Sequence, residues 1–355
     1  MSGKQALLHV INSLPIGGAE VLLKNSIAML PEYRHVVAYL NKPDTLKPQF
    51  PSDVEVVCLN HSSWSHSFDT IRKLRRLIKA NHPALVHSHL FEATLLTRFA
   101  VPSNVPLVFT IHNILSEDAF KVNQLSLKAE RLTYKKRHYL IAVSQAALDD
   151  YDKWIGVKGK ASVLYNYVDQ SFFDGSFNYA REVDNPFTLV AVGNLKRQKN
   201  YGCLVEAFAL LKDLPVTLDI YGSGALSETL AQQIANLEVR VTLKGSVTNI
   251  AEVLPRYHAY IMASLFEGFG IAPMEAMALG MPLLLSDLDV FKEIAGRIPV
   301  YFDPTKPEDI ARAIRYAYNN WNEVKQRSMP GKEHVRTIAS KAVYRANLLS
   351  IYSNV

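Results

Sequence analysis

The sequence predicts an α/β protein made of two doubly wound, parallel-sheet domains in tandem, and three observations carry that expectation. Short apolar runs alternate with amphipathic helical stretches from Ala6 to Asp303, the pattern of repeated βαβ units. The alternation lapses once, over 165–187 (YNYVDQSFFDGSFNYAREVDNPF), which shows neither a strand nor a helix period. Finally, 355 residues exceed a comfortable single core, so two domains of roughly 150 to 200 residues are expected.

The elements follow in order. The first series pairs ALLHVIN with AEVLLKNSIAML, then runs through HVVAYL, VEVVCL with FDTIRKLRRLIKA, ALVHSH with EATLLTRFA, LVFTIHN, and YLIAVS with QAALDDYD. The second pairs FTLVAVG with NYGCLVEAFALL, VTLDIYG with LSETLAQQIA, RVTLKG with NIAEVLPRY, and AYIMAS with PMEAMALG, ending in PLLLSD and VYFD. The boundaries are drawn at 1–165 for the first domain, 166–186 for a linker and 187–335 for the second domain. A helix over 336–355 is expected to return to the first domain.

Composition excludes several classes. Apolar residues at 48% and charged residues at 20% are ordinary for a globular protein, and no run reaches the ~18 apolar residues of a membrane span. The N-terminus lacks a cleavage-type signal pattern, so the protein reads as cytoplasmic. Cys58 and Cys203 match no metal or redox spacing. The net charge of +6 is uneven: residues 1–165 hold 20 Lys and Arg against 13 acids, densest in IRKLRRLIKA (71–80) and KKRH (135–138). Such patches suit a solvated helix face, an anionic membrane surface or another anionic partner. Nucleic acid is disfavoured, because no recognition-helix or aromatic-interleaved pattern accompanies the charge.

In open α/β sheets, ligands bind beyond the carboxyl ends of the strands, so the residues there are the candidates. Gly17 and Gly18 open the first helix, where free amides and the helix dipole favour an anion; a plain tight turn is the alternative. The absence of GxGxxG argues against a dinucleotide oxidoreductase. His87 and His89 in VHSH, and His112 with Asn113 in FTIHN, stand at later strand ends, where imidazoles can bond sugar hydroxyls or move protons. Their spacing is not that of a zinc site. In VGNLKRQKN, the loop with Lys196, Arg197 and Lys199 precedes a helix and could neutralise a diphosphate, or could be a solvated basic loop. In SLFEGFGIAPMEAMALGMPLLL, the strand ends before a loop holding Glu267, and Pro273 suits the first turn of a helix carrying Glu275. Glu275 near the helix start could accept hydrogen bonds from a ribose diol.

Glu267 and Glu275, eight residues apart in EGFGIAPMEAMALGMPLLLSD, resemble the glutamate-x7-glutamate motif of retaining GT-B glycosyltransferases of family 4. The segments GGAE, VHSH, FTIHN, VLYNYVD, VGNLKRQKN and YGSG are similar to the same family in the same order, so the resemblance spans most of the chain. It implies a GT-B fold, two Rossmann-like domains facing a central cleft, and transfer of a sugar from a nucleotide-diphosphate donor, UDP- or GDP-linked, with retention. The acceptor would be a glycan or lipid-linked precursor of polysaccharide synthesis on the first domain, at the cytoplasmic membrane face, and no metal or other cofactor is required.

By the same resemblance, His112 and Glu267 would be catalytic. Gly17, Gly18, Asn194, Arg197, Lys199, Tyr221, Gly222, Ser246, Val247, Phe269, Gly270, Ile271 and Glu275 would line the donor, and His89 and Asn113 the acceptor. Acceptor choice would fall to the loops at 61–69 and 114–128. Two positions depart from the family pattern: Asn194 replaces a common arginine, and Tyr167 replaces a glycine. A GT-B nucleotide-sugar epimerase and a non-catalytic nucleotide-sugar-binding protein are the alternatives.

Overall fold

The computed structural model describes residues 4–120, 123–183 and 186–355. Residues 1–3 of the expected first domain, 121–122 of its 114–128 loop, and 184–185 of the expected linker lie outside the described residues. The chain divides into two compact units: Met1–Asn166 with Tyr344–Val355, and Tyr167–Val343.

Among the described residues, the first unit holds a seven-stranded parallel sheet. Its strands are β1 (Ala6–Ile11), β2 (Arg34–Tyr39), β3 (Glu55–Cys58), β4 (Leu85–His89), β5 (Leu107–Ile111), β6 (His138–Ala142) and β7 (Ala161–Val163). They are ordered β3-β2-β1-β4-β5-β6-β7, so the winding reverses between β1 and β4. Strand alternation sorts side chains between two faces. On one, Leu8, Val10, Val36 and Val86 pack with Leu74, Ile78 and Leu96 of the helices Ser67–Asn81 and Phe91–Ala100. On the other, Ile11, Val37 and Tyr39 pack with Leu23 and Ile27 of the helix Gly18–Met29.

The chain's last helix, Lys341–Ser353, belongs to this unit from Tyr344 onward. The Tyr344 hydroxyl lies 2.9 Å from Ser26 Oγ, and Arg345 Nε donates to the Met29 carbonyl at 2.9 Å. Instead of one helix over 336–355, there are two, Gly331–Ala339 and Lys341–Ser353. The break falls at Ser340, which is extended and bridges in parallel to Val168, while Val168 N donates to the Ala339 carbonyl.

That bridge also corrects the linker. Residues 167–183 pack within the second unit: Tyr167, Val168, Phe172, Phe173 and Phe177 are buried. Asp169 caps the short helix Gln170–Asp174, its carboxylate accepting from Ser171 N at 3.0 Å. Five residues of helix are too few to show a period, so the segment read as irregular.

Among the described residues, the second sheet has six parallel strands: β8 (Phe187–Val192), β9 (Val216–Tyr221), β10 (Val241–Gly245), β11 (Ala259–Met262), β12 (Leu283–Ser286) and β13 (Val300–Phe302). Their order is β10-β9-β8-β11-β12-β13, with the reversal between β8 and β11. Because all the strands run the same way, their carboxyl ends form one edge, and the second-half candidates follow those ends. No helix among the described residues is long and apolar enough to cross a membrane.

Candidate active site

At the edge of the second sheet, the loop after β8 carries Asn194 and Arg197, both exposed, and Lys199, which is half-buried. The turn after β9 lies directly on that loop. Gly222 has φ +148°, and a side chain there would strike the Gly193 carbonyl, so only glycine permits the approach. Leu195 N donates to the Ser223 carbonyl at 3.0 Å, and Ser246 Oγ, after β10, to Ser223 Oγ at 3.1 Å. Tyr221, at the end of β9, is half-buried with its hydroxyl 3.0 Å from that of Tyr257, while Ser246 and Val247 are exposed.

The loop after β11 completes the edge. Glu267 is 7% exposed, and its carboxylate is held from three sides. Lys199 Nζ donates to Oε1 at 2.6 Å, Ser264 Oγ to the same oxygen at 2.7 Å, and Gln198 Nε2 to Oε2 at 3.4 Å. Gln198 also donates to the Phe266 carbonyl at 2.8 Å, and Leu265 N to the Gln198 carbonyl, so the two loops are sewn together. A buried carboxylate is tolerated only when so partnered. Lys199 and Glu267, expected separately at the donor, thus form one ion pair. Ser264 and Gln198 escaped the sequence reading because neither type is distinctive; the signal was their place beside a buried acid.

Gly270 turns this loop into the helix Ile271–Ala278. Its φ is +82°, and a Cβ would meet the Phe291 ring at 2.5 Å. Phe269 and Gly270 are buried, while Ile271 and Glu275 are half-buried. Glu275 contrasts with Glu267, because among the described residues nothing donates to its carboxyl. Burial first, and then the nearby Asp169 carboxylate, push it up to about 8. Unlike Glu267, it is left waiting for donors.

In the first unit, Gly17 caps the helix Gly18–Met29, whose first intrahelical bond runs from Val21 N to the Gly17 carbonyl at 3.0 Å. Buried Glu20 folds over Gly17, and burial raises its carboxyl. His112 follows β5, half-buried, its imidazole pushed down to about 4 by burial and so neutral near pH 7. It lines a cavity of about 290 Å³ with Asn12, Leu90, Thr94, Asn113 and Leu115. The expectation that His87 and His89 face a ligand from a strand end needs correction. Both belong to β4 and are buried, at 3% and 5% exposure, with His89 Nδ1 3.2 Å from His112 Nε2. The strand runs through His89, as the run ALVHSH predicts, and carries both imidazoles into the sheet.

Two family models match the chain, one described as Glycosyltransferase Family 4 over residues 16–172 and one as Glycosyl transferases group 1 over 176–334. The chain belongs to the group 1 glycosyltransferases. This glycosyltransferase is 28% identical over 254 residues to the O-antigen chain mannosyltransferase RfbU of Salmonella typhimurium, covering 68% of this chain and 67% of that one. It is 24% identical over 328 residues to the putative glycosyltransferase EpsF of Bacillus subtilis, covering 83% and 82%. Its fold is that of Anabaena HepE, solved with UDP and glucose, with a TM-score of 0.84 at 20% identity over 99% of this chain and 100% of that one. The two sheets are therefore the Rossmann-like pair of a GT-B protein.

Proposed function

We propose that this glycosyltransferase moves a hexose from a nucleoside diphosphate sugar, UDP- or GDP-linked, to a glycan or lipid-linked acceptor of polysaccharide synthesis, with retention of anomeric configuration. The observation that carries the reading is the Lys199–Glu267 pair beside a helix whose Glu275 lacks a donor. A diphosphate can take Lys199 as its counter-cation. Glu267, oriented by Ser264 and Gln198, can then accept from sugar hydroxyls, and Glu275 from the ribose diol. The UDP and glucose bound by HepE, and the sugar-transfer name of RfbU, support the same assignment. In retention by a front-face route, the leaving phosphate takes the acceptor proton, so no metal is required of the protein.

The Glu275 environment gives a signed test. Ribose hydroxyls bind the ionised carboxylate, so nucleotide binding releases a proton wherever the free residue holds one. Affinity for UDP or GDP is expected to rise about tenfold per pH unit from pH 6 toward 8 and then to level. Glu275→Gln should flatten this profile and weaken binding. It should also raise the melting temperature of the free protein at pH 8, since a carboxyl with a raised folded pKa loses stability as pH climbs from its unfolded value through 8. Calorimetry across pH measures both, and a parallel profile in the variant would remove Glu275 from the ribose.

We also propose peripheral contact with anionic membrane through the helix Ser67–Asn81. Leu74 and Ile78 are spent on the core, while Arg72, Arg75, Arg76 and Lys79 are exposed. Trp64 and Phe68, 56% and 78% exposed, stand at its amino end. Aromatic rings at the headgroup level and basic residues near ~1 kcal/mol each make an interfacial anchor. Sedimentation with phosphatidylserine vesicles should show binding at low salt that is lost at high salt and reduced in Trp64→Ala/Phe68→Ala. A protein that stays in the supernatant at low salt would end the membrane assignment.

A further inference from the structure

Beneath the C-terminal helix, five histidines of the first unit form a cluster that the proposed function uses only at one end. His9 in β1, His35 in β2, and His87 and His89 in β4 are all buried, and His112 follows β5. The register sets His9 beside His87. His9 and His89 lie nearly parallel, with ring centroids 6.0 Å apart and planes at 22°. One ring nitrogen from each of His9, His87 and His89 is within 4.8 Å of the other two. Two of the cluster's buried nitrogens have no partner among the described residues, His9 Nδ1 and His89 Nε2.

Hydrogen bonds fix the protons of His35 and His9, and the two unpartnered nitrogens carry the order on to His89 and His112. The Leu30 carbonyl, 2.8 Å from His35 Nε2, can only accept, so His35 carries its proton on Nε2 and its Nδ1 is bare. That bare Nδ1 lies 3.2 Å from His9 Nε2, so His9 must donate from Nε2, which leaves His9 Nδ1 as an unpartnered lone pair. The matching unpartnered nitrogen is His89 Nε2. A lone pair facing a lone pair repels, whereas an N–H facing it is attracted, directly or through one water. With the proton on His89 Nε2, His89 Nδ1 is bare and accepts from His112 Nε2 at 3.2 Å. His112 Nδ1 is then bare, and among the described residues it has no partner. His87 stands outside this chain, because Tyr352 and Thr110, both at 2.7 Å, occupy its two nitrogens.

We infer that His9, His35 and His89 are positioning residues that order the protons of one imidazole chain, so that His112 carries its proton on Nε2 and offers a bare Nδ1 to a substrate hydroxyl. The hydroxyl as donor rests on the proposed function; the proton order does not. A divalent ion among His9, His87 and His89 would instead set its charge beside rings that no carboxylate bonds among the described residues, and would have to break a His87 hydrogen bond.

The test reads the free full-length chain, labelled with ¹⁵N-histidine, by long-range proton–nitrogen correlation at pH 7.5, with the His112 signals assigned by their loss in His112→Gln. His9, His89 and His112 should each be protonated on Nε2, His112 with a bias of about fivefold or more, the weight of one neutral hydrogen bond. His9→Phe keeps the ring and removes the acceptor, and should bring His112 toward an even mixture. His35→Phe, which frees the His9 tautomer, should shift it the same way. Native His112 protonated on Nδ1 overturns the proposal even if neither variant folds. So does an unchanged His112 signal in a folded His9→Phe, or a stoichiometric metal found by mass spectrometry. These spectra need no donor or acceptor, so failure of sugar transfer would sink the functional reading and leave the proton order standing.

Discussion

Lys199→Ala is expected to lower kcat about 100- to 1,000-fold, the usual cost of removing a preorganised donor that meets developing charge. It should also cost stability. Glu267 would keep only Ser264 and Gln198, and a buried carboxylate that loses its cationic partner typically destabilises by about 3 to 5 kcal/mol. The double variant Lys199→Ala/Glu267→Gln separates the two effects. With no charge left to bury, it should recover most of the stability, while the rate stays low because the cation for the diphosphate and the carboxylate for the sugar hydroxyls are both absent. A double variant that regained activity along with stability would show Lys199 to be a structural counter-ion alone. Urea titration and product analysis with a donor and acceptor extract supply the two readouts.

The second large effect is acid lability of the first unit. Burial pushes His87 and His138 down to about 3 and His112 to about 4, and lowers His9, His35 and His89 as well. A histidine whose folded pKa lies below its unfolded value leaves stability intact above about pH 6.5. Below that, the unfolded chain takes up protons that the folded chain refuses, and stability falls until the folded pKa is reached. His87, His112 and His138 alone should remove about 4 kcal/mol between pH 7.5 and 5.5. That is a large share of an ordinary domain's ~5 to 15 kcal/mol. Melting temperatures at the two pH values, with limited proteolysis to locate the first cuts, measure it. An unchanged melting temperature, or cuts confined to 167–343, would contradict the prediction.

The fold was legible where the pattern is local. β1 and its helix announce themselves by an apolar run followed by apolar residues at helical spacing, and the same holds for β8 and β11. The Gly270 bend and the helix carrying Glu275 were readable from glycine and proline chemistry alone. The helix Gln170–Asp174 was missed because an Asp cap and two phenylalanines make no period. β4 was legible to its last residue, but a strand ending in His-Ser-His looks polar, so the burial of all five of its residues was not.

By itself, then, the sequence determined two parallel-sheet domains, the strand ends where chemistry would gather, and the glutamate pair that resembles the family's motif. These rest on periodicities of two and 3.6 residues and on turn chemistry, which neighbouring residues suffice to set. Only the tertiary structure decided that Lys199 neutralises Glu267, 68 residues away, while Glu275 is left without a donor. It alone placed Tyr352 on His87, 265 residues away, and gathered histidines from three strands onto one face. Strand order and helix return set such meetings, and a buried polar group's partners, charge and proton position follow from what the fold brings within about 3 Å of it.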